Sequence, residues 1–424
     1  IEFAVKMKRL PEKYFLKNLI KRGNVSLDDL RRIMEKLVEF YKSQSNSGRI
    51  SDYGRPERIK IFIYNNISLV RNFIGKTISS NAHAAITFYN DMFFEKTPLL
   101  FQERIKKGFI KDCHGDLHLY NINISPKYVC IHDRIEFNDR FRYIDIASDI
   151  AFLAMDLDFN GRSDFADYVV SEISKRMHDD TIFKIIDFYK CYRAYVRGKV
   201  ESLKSEGAGI PKREVRSSQK RAKDYFRLSL KYALFGSQPK LIVVFGLIGT
   251  GKSTLAKLLS RELTCEVVSS DRIRKEMLGI APTERKYEEF ERGIYSKNIN
   301  ERVYKEITRQ GIQAVQSGKI VILDASFSKR KYRKLIINKA KSLDVPIFFI
   351  QAKASEKTIR GRLIKRQEVG KAISDGRWEI FDKFKEGFEQ PVELARDKYL
   401  LVNTDKTMEE TLTQTLIGIV KKRI

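Results

Sequence analysis

Apolar and polar positions fall into two textures along the chain, and the change comes near residue 240. Before it, "SLDDLRRIMEKLVEFYKS" (26–43) spaces its apolar residues three and four apart. Ser26 stands where a helix cap belongs, with Asp29 three residues on, so the pattern predicts a capped amphipathic helix. The alternation in "EFAVKMKR" (2–9), followed by Pro11, predicts a strand leading into a helix. Helical spacing runs on to about residue 107, short strand-like pieces fill 111–137, and helices return from about 145 to 204. "SEGAGIPKREVRSS" (205–218) has the Gly, Pro and Ser of an exposed connection, and a helix over about 213–235 leads onward. Beyond 240, apolar strands at 241–245, 265–269, 319–323, 346–351 and 399–402 alternate with long helical patterns. That alternation predicts an α/β domain with a mainly parallel sheet. The expected organisation is two domains, 1–236 and 237–424, with no internal repeat.

Composition narrows the class. Apolar residues are 42% and charged residues 32% of the chain, which is globular rather than disordered. Runs such as "LIVVFGLIG" and "VPIFFI" are too short to span a bilayer, so no membrane segment is expected. Cys113, Cys130, Cys191 and Cys265 are scattered and form no metal or disulfide framework, which predicts a cytoplasmic protein. The sequence opens without an initiator Met, and a natural start further upstream is expected. Lys and Arg number 81 against 54 Asp and Glu, a formal net charge of +27. Such a field draws polyanions, nucleic acid among them. Its spread along the whole length rather than in one tail is the pattern of solvated helix faces, with nucleic-acid binding as the alternative.

The second half carries "VFGLIGTGKSTLAKLL" (244–259), a strand, a glycine-rich turn and the start of a helix. Gly246, Gly249, Thr250, Gly251, Lys252, Ser253 and Thr254 match the phosphate-binding loop G-x-x-x-x-G-K-[ST] in the context that loop requires. Backbone N–H groups and the helix N-terminus would cradle the phosphates of ATP, Lys252 would reach the β- and γ-phosphates, and Ser253 would hold Mg²⁺. The strand in "CEVVSSD" ends at Asp271, which would face the crevice and take a proton from an attacking hydroxyl. The bland alternative makes Asp271 a helix N-cap. Arg274, one turn on, would hold an anionic group of the acceptor. "KIVILDASF" (319–327) ends another strand at Asp324, placed for Mg²⁺ or the acceptor. Arg360, Arg362 and Arg366 in "TIRGRLIKRQE", ahead of the polar "VGKAISDGRW", would form a lid whose arginines offset charge on the transferred phosphoryl group; a solvated helix face is the competing reading. These residues, over about 240–405, resemble the P-loop kinases related to polynucleotide kinase, gluconate kinase and the zeta toxins. The resemblance implies Asp271 as general base and Arg274 as its partner.

The first half contains "CHGDLHLYNI" (113–122), with His114, Gly115, Asp116, His118 and Asn121 in kinase-like spacing. An Asp that orients an acceptor hydroxyl and an Asn five residues later that binds Mg²⁺ is the arrangement of protein-kinase-type transfer. A turn in which both histidines only cap and pack is the alternative. The motif resembles the aminoglycoside phosphotransferase family, which implies a kinase-like α+β fold with a mostly helical C-lobe and a truncated N-lobe. The resemblance also implies a second metal-binding acid. Glu136 stands in that place, where the family has Asp, and Asp145 and Asp149 are further candidates, Asp149 as a structural acid. Lys6 in "FAVKMK" resembles the lysine that grips ATP phosphates, with Glu12 as its ion-pair partner, and no glycine-rich loop precedes it. Together the two halves resemble the family called bifunctional aminoglycoside phosphotransferase/ATP-binding protein. The expectation is an ATP- and Mg²⁺-dependent phosphotransferase, working chiefly at the P-loop on a small hydroxyl acceptor. The competing readings are a 5′-hydroxyl polynucleotide kinase, drug modification by the first half, and a non-catalytic switch. A basic chain argues against a polycationic drug.

Overall fold

The computed structural model describes residues 9–45, 47–281, 284, 293–369 and 377–424. The expected strand at 2–9, with Lys6, lies outside the described residues. Two compact units emerge: one runs to Ile78 and resumes over Asn90–Ala233, and the other comprises Ser79–Tyr89 and the chain from Leu234 on. A linear border at 236/237 leaves 79–89 in the first half, whereas the chain gives it to the second. The Ser79 hydroxyl donates to Glu262 (2.9 Å) and the Ser80 hydroxyl to Glu409 (2.8 Å), both in the second unit. The helix Ser80–Lys96 buries Ala82, Ala85, Ile86, Tyr89, Phe93 and Phe94, and its apolar residues lie on several faces. No single stripe in the sequence reveals which core each part serves.

The first unit is mainly helical. The helix Leu27–Ser43 starts with the Ser26–Asp29 capping box and buries one face, Leu30 to Tyr41. The helix Ile146–Phe159 has every residue from Ile146 to Leu157 buried, and Ile182–Lys204 packs beside it. Among the described residues four three-residue strands form two small antiparallel pairs. Strand β1 (Ile110–Asp112) pairs with β4 (Tyr143–Asp145), and β2 (Ile122–Ile124) with β3 (Val129–Ile131). Below them Arg104, fully buried, is held by Asp145 (2.5 and 2.7 Å), Asp179 (2.8 Å) and the Thr181 hydroxyl (2.7 Å).

The second unit has a five-stranded parallel sheet: β5 (Leu241–Phe245), β6 (Glu266–Ser269), β7 (Val321–Asp324), β8 (Ile347–Lys353) and β9 (Tyr399–Asn403), in the order β6-β7-β5-β8-β9. The expected strands match it to within two residues at each end. Central β5 is buried at all five positions, which explains its unbroken run of apolar residues. Register puts Asp324 level with Val244 on one side and Ser269 on the other, so three strands end together at one carboxyl edge. Ligands of open α/β sheets bind at that edge. No helix among the described residues is long and apolar enough to cross a membrane.

Candidate active site

The P-loop leaves β5 between two neighbours that press on its backbone. Gly246 passes the Ala352 carbonyl and its N–H donates to the Ser326 carbonyl at 3.3 Å. Gly249 has φ 75°, and a Cβ there would lie 2.7 Å from Ile359 Cγ2, so both conformation and space exclude a side chain. The Thr250 hydroxyl turns back to the Leu247 carbonyl (2.8 Å), and Gly251, at φ 82°, ends the loop. Lys252 and Ser253 then open the helix Lys252–Leu263, with Thr254 exposed beside them. The loop thus ends at the N-terminus of that helix, whose dipole favours an anion there.

Asp324 meets this loop from the end of β7. It is 7% exposed, and its Oδ1 has no hydrogen-bond partner among the described residues. Burial raises its pKa above the ordinary carboxylate value; the Lys252 charge and the Ser253 hydroxyl pull it down, and the Asp271 charge pushes it up. All four sequence-predicted groups thus lie within interaction range. A buried oxygen with no donor, beside a serine hydroxyl and a lysine, fits the hard-oxygen chemistry of Mg²⁺. Asp324 and Ser253 would hold the ion, with phosphate oxygens and water completing the shell.

Asp271 lies in the first turn of the helix Ser270–Met277, half-buried. The capping position belongs to Ser269, so Asp271 is not spent as the N-cap. Arg274 is otherwise placed than the spacing predicts. It is buried, its Nη1 donates to the Ile294 carbonyl (2.9 Å), and its guanidinium lies 4.6 Å from the Tyr295 ring centre. Its Nε has no partner among the described residues.

The other wall of the site comes from a residue no motif marks. Thr404, just past β9, donates its hydroxyl to the Thr250 carbonyl at 2.6 Å. Its N–H donates to the Lys353 carbonyl at 2.8 Å. Arg362 donates to Thr404 Oγ1 (3.2 Å) and O (2.5 Å) and lies against Gly251. Arg362 is thereby fixed at the base of the P-loop rather than free on a lid. Together with Leu255, Leu258, Lys406 and Met408 it lines a cleft of about 420 Å³ beside the loop, of a size and mixed polarity suited to a nucleoside. Arg360 stacks on Trp378 (5.6 Å), and Arg366 also lines the cleft. Most of the expected lid, 370–376, lies outside the described residues. A threonine just beyond the carboxyl end of the last parallel strand was the available signal for Thr404.

In the first unit, Asp116 sits in a tightly held loop. Asp149, fully buried, accepts from the Tyr41 hydroxyl (2.8 Å), His114 N–H (3.0 Å) and Gly115 N–H (2.9 Å), which makes it a structural acid. Gly115 has φ 85°, and a Cβ there would lie 2.6 Å from the Phe141 carbonyl. Arg193 reaches the carbonyls of Ser148 (3.1 Å) and Gly115 (3.3 Å). His118 Nδ1 lies 3.2 Å from the Tyr120 N–H and its Nε2 lies 3.3 Å from Asp116 Oδ2. Burial raises the Asp116 pKa, but the His118 hydrogen bond and the His118, Arg193 and Arg197 charges outweigh it, and the net shift is downward. Asn121 donates to the Asp116 carbonyl at 3.0 Å and reaches its Oδ2 at 3.4 Å. Glu136 is exposed on a segment tied to the loop by Ile135 N–H donating to His114 O (3.1 Å). Asp145, a candidate metal ligand by sequence, is occupied by Arg104 and by the Ala147 N–H (2.8 Å). Glu12 pairs with Arg9 at the surface. Among the described residues no group of three or more His, Cys, Asp or Glu is arranged to hold a metal. Arg193 and Arg197 were missed; their four-residue spacing on one helix face was the readable sign.

Residues 241–391 match the family model described as AAA domain. Among solved structures, the APS kinase CysC of Mycobacterium tuberculosis aligns at 16% identity and a TM-score of 0.33, over 43% of this chain and 98% of that one. A gluconokinase from Sinorhizobium meliloti 1021 aligns at 17% and 0.32, over 44% and 93%. Over 366 residues, 86% of this chain and 72% of the relative, the sequence is 30% identical to uncharacterized protein Rv2004c of Mycobacterium tuberculosis. The same figures hold for uncharacterized protein Mb2027c of Mycobacterium bovis. The chain belongs to the family of these mycobacterial proteins.

Proposed function

We propose that the second unit is an ATP- and Mg²⁺-dependent phosphotransferase acting on a hydroxyl acceptor, and that it works in the cytoplasm. The observation that carries this reading is Asp324, buried with an unpartnered oxygen among Lys252, Ser253 and Asp271 at the mouth of the P-loop. Bound Mg²⁺ would offset charge on the β- and γ-phosphates. The P-loop amides hold the phosphates, and Lys252 offsets the charge that develops as the bond between the γ-phosphorus and the β,γ-bridging oxygen breaks. The acceptor oxygen bonds to the γ-phosphorus, its proton passes to Asp271, and ADP leaves. Arg362 and Thr404 position the nucleoside end. The first unit, to Ile78 and over Asn90–Ala233, we read as a kinase-like α+β domain, with Asp116 as its base, Asn121 and Glu136 as its metal-side groups and Lys6 as its phosphate lysine.

Incubation with γ-labelled ATP, Mg²⁺ and a panel of sugars, nucleosides, aminoglycosides and 5′-hydroxyl oligonucleotides tests both assignments. Asp271→Asn is expected to lower transfer about 10²–10⁴-fold while ATP still binds. Lys252→Ala is expected to weaken both. Unchanged turnover in Asp271→Asn removes the proposed base. Nucleotide binding without transfer to any acceptor would make the protein a nucleotide-dependent regulator.

A further inference from the structure

The first unit carries a cleft of about 770 Å³ that the P-loop reading does not use. Lys17, Tyr120, Arg197, Arg213, Arg221 and Tyr225 form most of its wall. Its lining holds five cations against two carboxylates, and both carboxylates are already paired: Glu201 with Arg221 (2.9 Å) and Glu214 with Lys204 (2.9 Å). Lys17 and Arg213 make no ion pair among the described residues, whereas Arg197 hydrogen-bonds Tyr225 and faces the Asp156 and Asp116 charges. The cleft is therefore positive after its internal pairs are formed.

It is also joined to the Asp116 loop. Tyr120 lies four residues beyond Asp116 and presents its ring under the Lys17 ammonium, 4.1 Å from the ring centre. Tyr225 reaches Asp156 Oδ1 at 3.4 Å, and Asp156 Oδ2 accepts the N–H of Leu119 at 3.1 Å. Arg197 is near enough for its charge to help hold the Asp116 carboxyl down. Aromatic faces next to unpaired cations suit a compound with both a carbon skeleton and an anionic group.

We propose that this cleft is the acceptor site of the first unit and takes an anionic hydroxyl compound, a phosphorylated polyol or sugar, rather than a polycation. The inference rests on the reading of Asp116 as a base. The acceptor's hydroxyl would bond to the γ-phosphorus of ATP as the β,γ-bridging bond breaks, ADP would leave, and the proton would pass to Asp116. Lys17 and Arg213 would hold the acceptor's existing phosphate. An aminoglycoside, being polycationic, meets repulsion at the same wall.

The test uses the full chain carrying Lys252→Ala, which weakens phosphate binding at the P-loop. Glycerol 3-phosphate, glycerol and kanamycin are titrated calorimetrically. Saturable binding of glycerol 3-phosphate alone is expected, falling about tenfold or more in Lys17→Glu/Arg213→Glu and kept in Lys17→Arg/Arg213→Lys. Far-ultraviolet circular dichroism confirms that each variant is folded. Absent binding, tighter binding of kanamycin, or affinity unmoved by the charge reversal overturns the proposal. Asp116→Asn separates the two readings: binding should survive in it while transfer is lost. Charge-dependent binding with no Asp116-dependent transfer leaves the anion site standing and removes the base.

Discussion

A carboxylate buried with one oxygen unpartnered is costly until a cation meets it, and Asp324 is in that position. Asp324→Asn removes the charge and keeps the shape. The metal-free protein should gain on the order of 1 kcal/mol, about 2–4 °C in Tm, while the added stability from Mg²⁺ with ADP disappears. Thermal melts with and without the ligands check both halves. Asp116 has the opposite sign. Its folded pKa lies below its unfolded value of about 3.9, so its stabilisation is present above about pH 4 and is lost as pH falls through the depressed value. His118→Ala removes the hydrogen bond that contributes most to the lowering, and the Asp116 pKa should rise, as a carboxyl NMR titration would show. Gly249→Ala places a Cβ against Ile359 at φ 75°, and should weaken ATP binding about tenfold or more without unfolding the sheet. Equilibrium ATP titration reads it.

Elements were legible where one periodicity ruled. The central strands β5, β7 and β8 declared themselves because burial on both faces demands continuous apolar runs, and the 26–43 helix because its cap and stripe agree. The three-residue strands of the first unit carry too few positions for any period to show. Site residues were legible where backbone chemistry forces a motif, as at Gly251-Lys252-Ser253. Contacts that join distant segments were hidden: the sequence marks Arg362 and Asp145 but not their partners Thr404 and Arg104. The pair of Arg104 and Asp145 yields a test at the level of the β1–β4 ribbon. Arg104→Met leaves Asp145 and Asp179 buried without their cation and should cost about 3–5 kcal/mol. Urea unfolding measures that loss, and a change under about 1 kcal/mol would show that the network is not needed to hold β4.

Across the whole molecule the net charge of +27 sets how polyanions respond to salt. An oligonucleotide held by this field should lose about 10³ in affinity between about 50 and 200 mM salt. Transfer to a small acceptor depends on a few close groups and should change far less, so a salt series run beside the labelling assay tells steering from substrate recognition. The bond from Thr404 to the Thr250 carbonyl spans 154 residues. Every residue of the P-loop leaves the ribosome long before its supporting threonine does. During synthesis the nascent chain holds a complete phosphate-binding sequence without a complete cradle, and capacity for nucleotide arrives late and abruptly. Stalled chains whose residue 404 is still enclosed by the ribosome should fail to retain an ATP analogue that chains long enough to expose it keep.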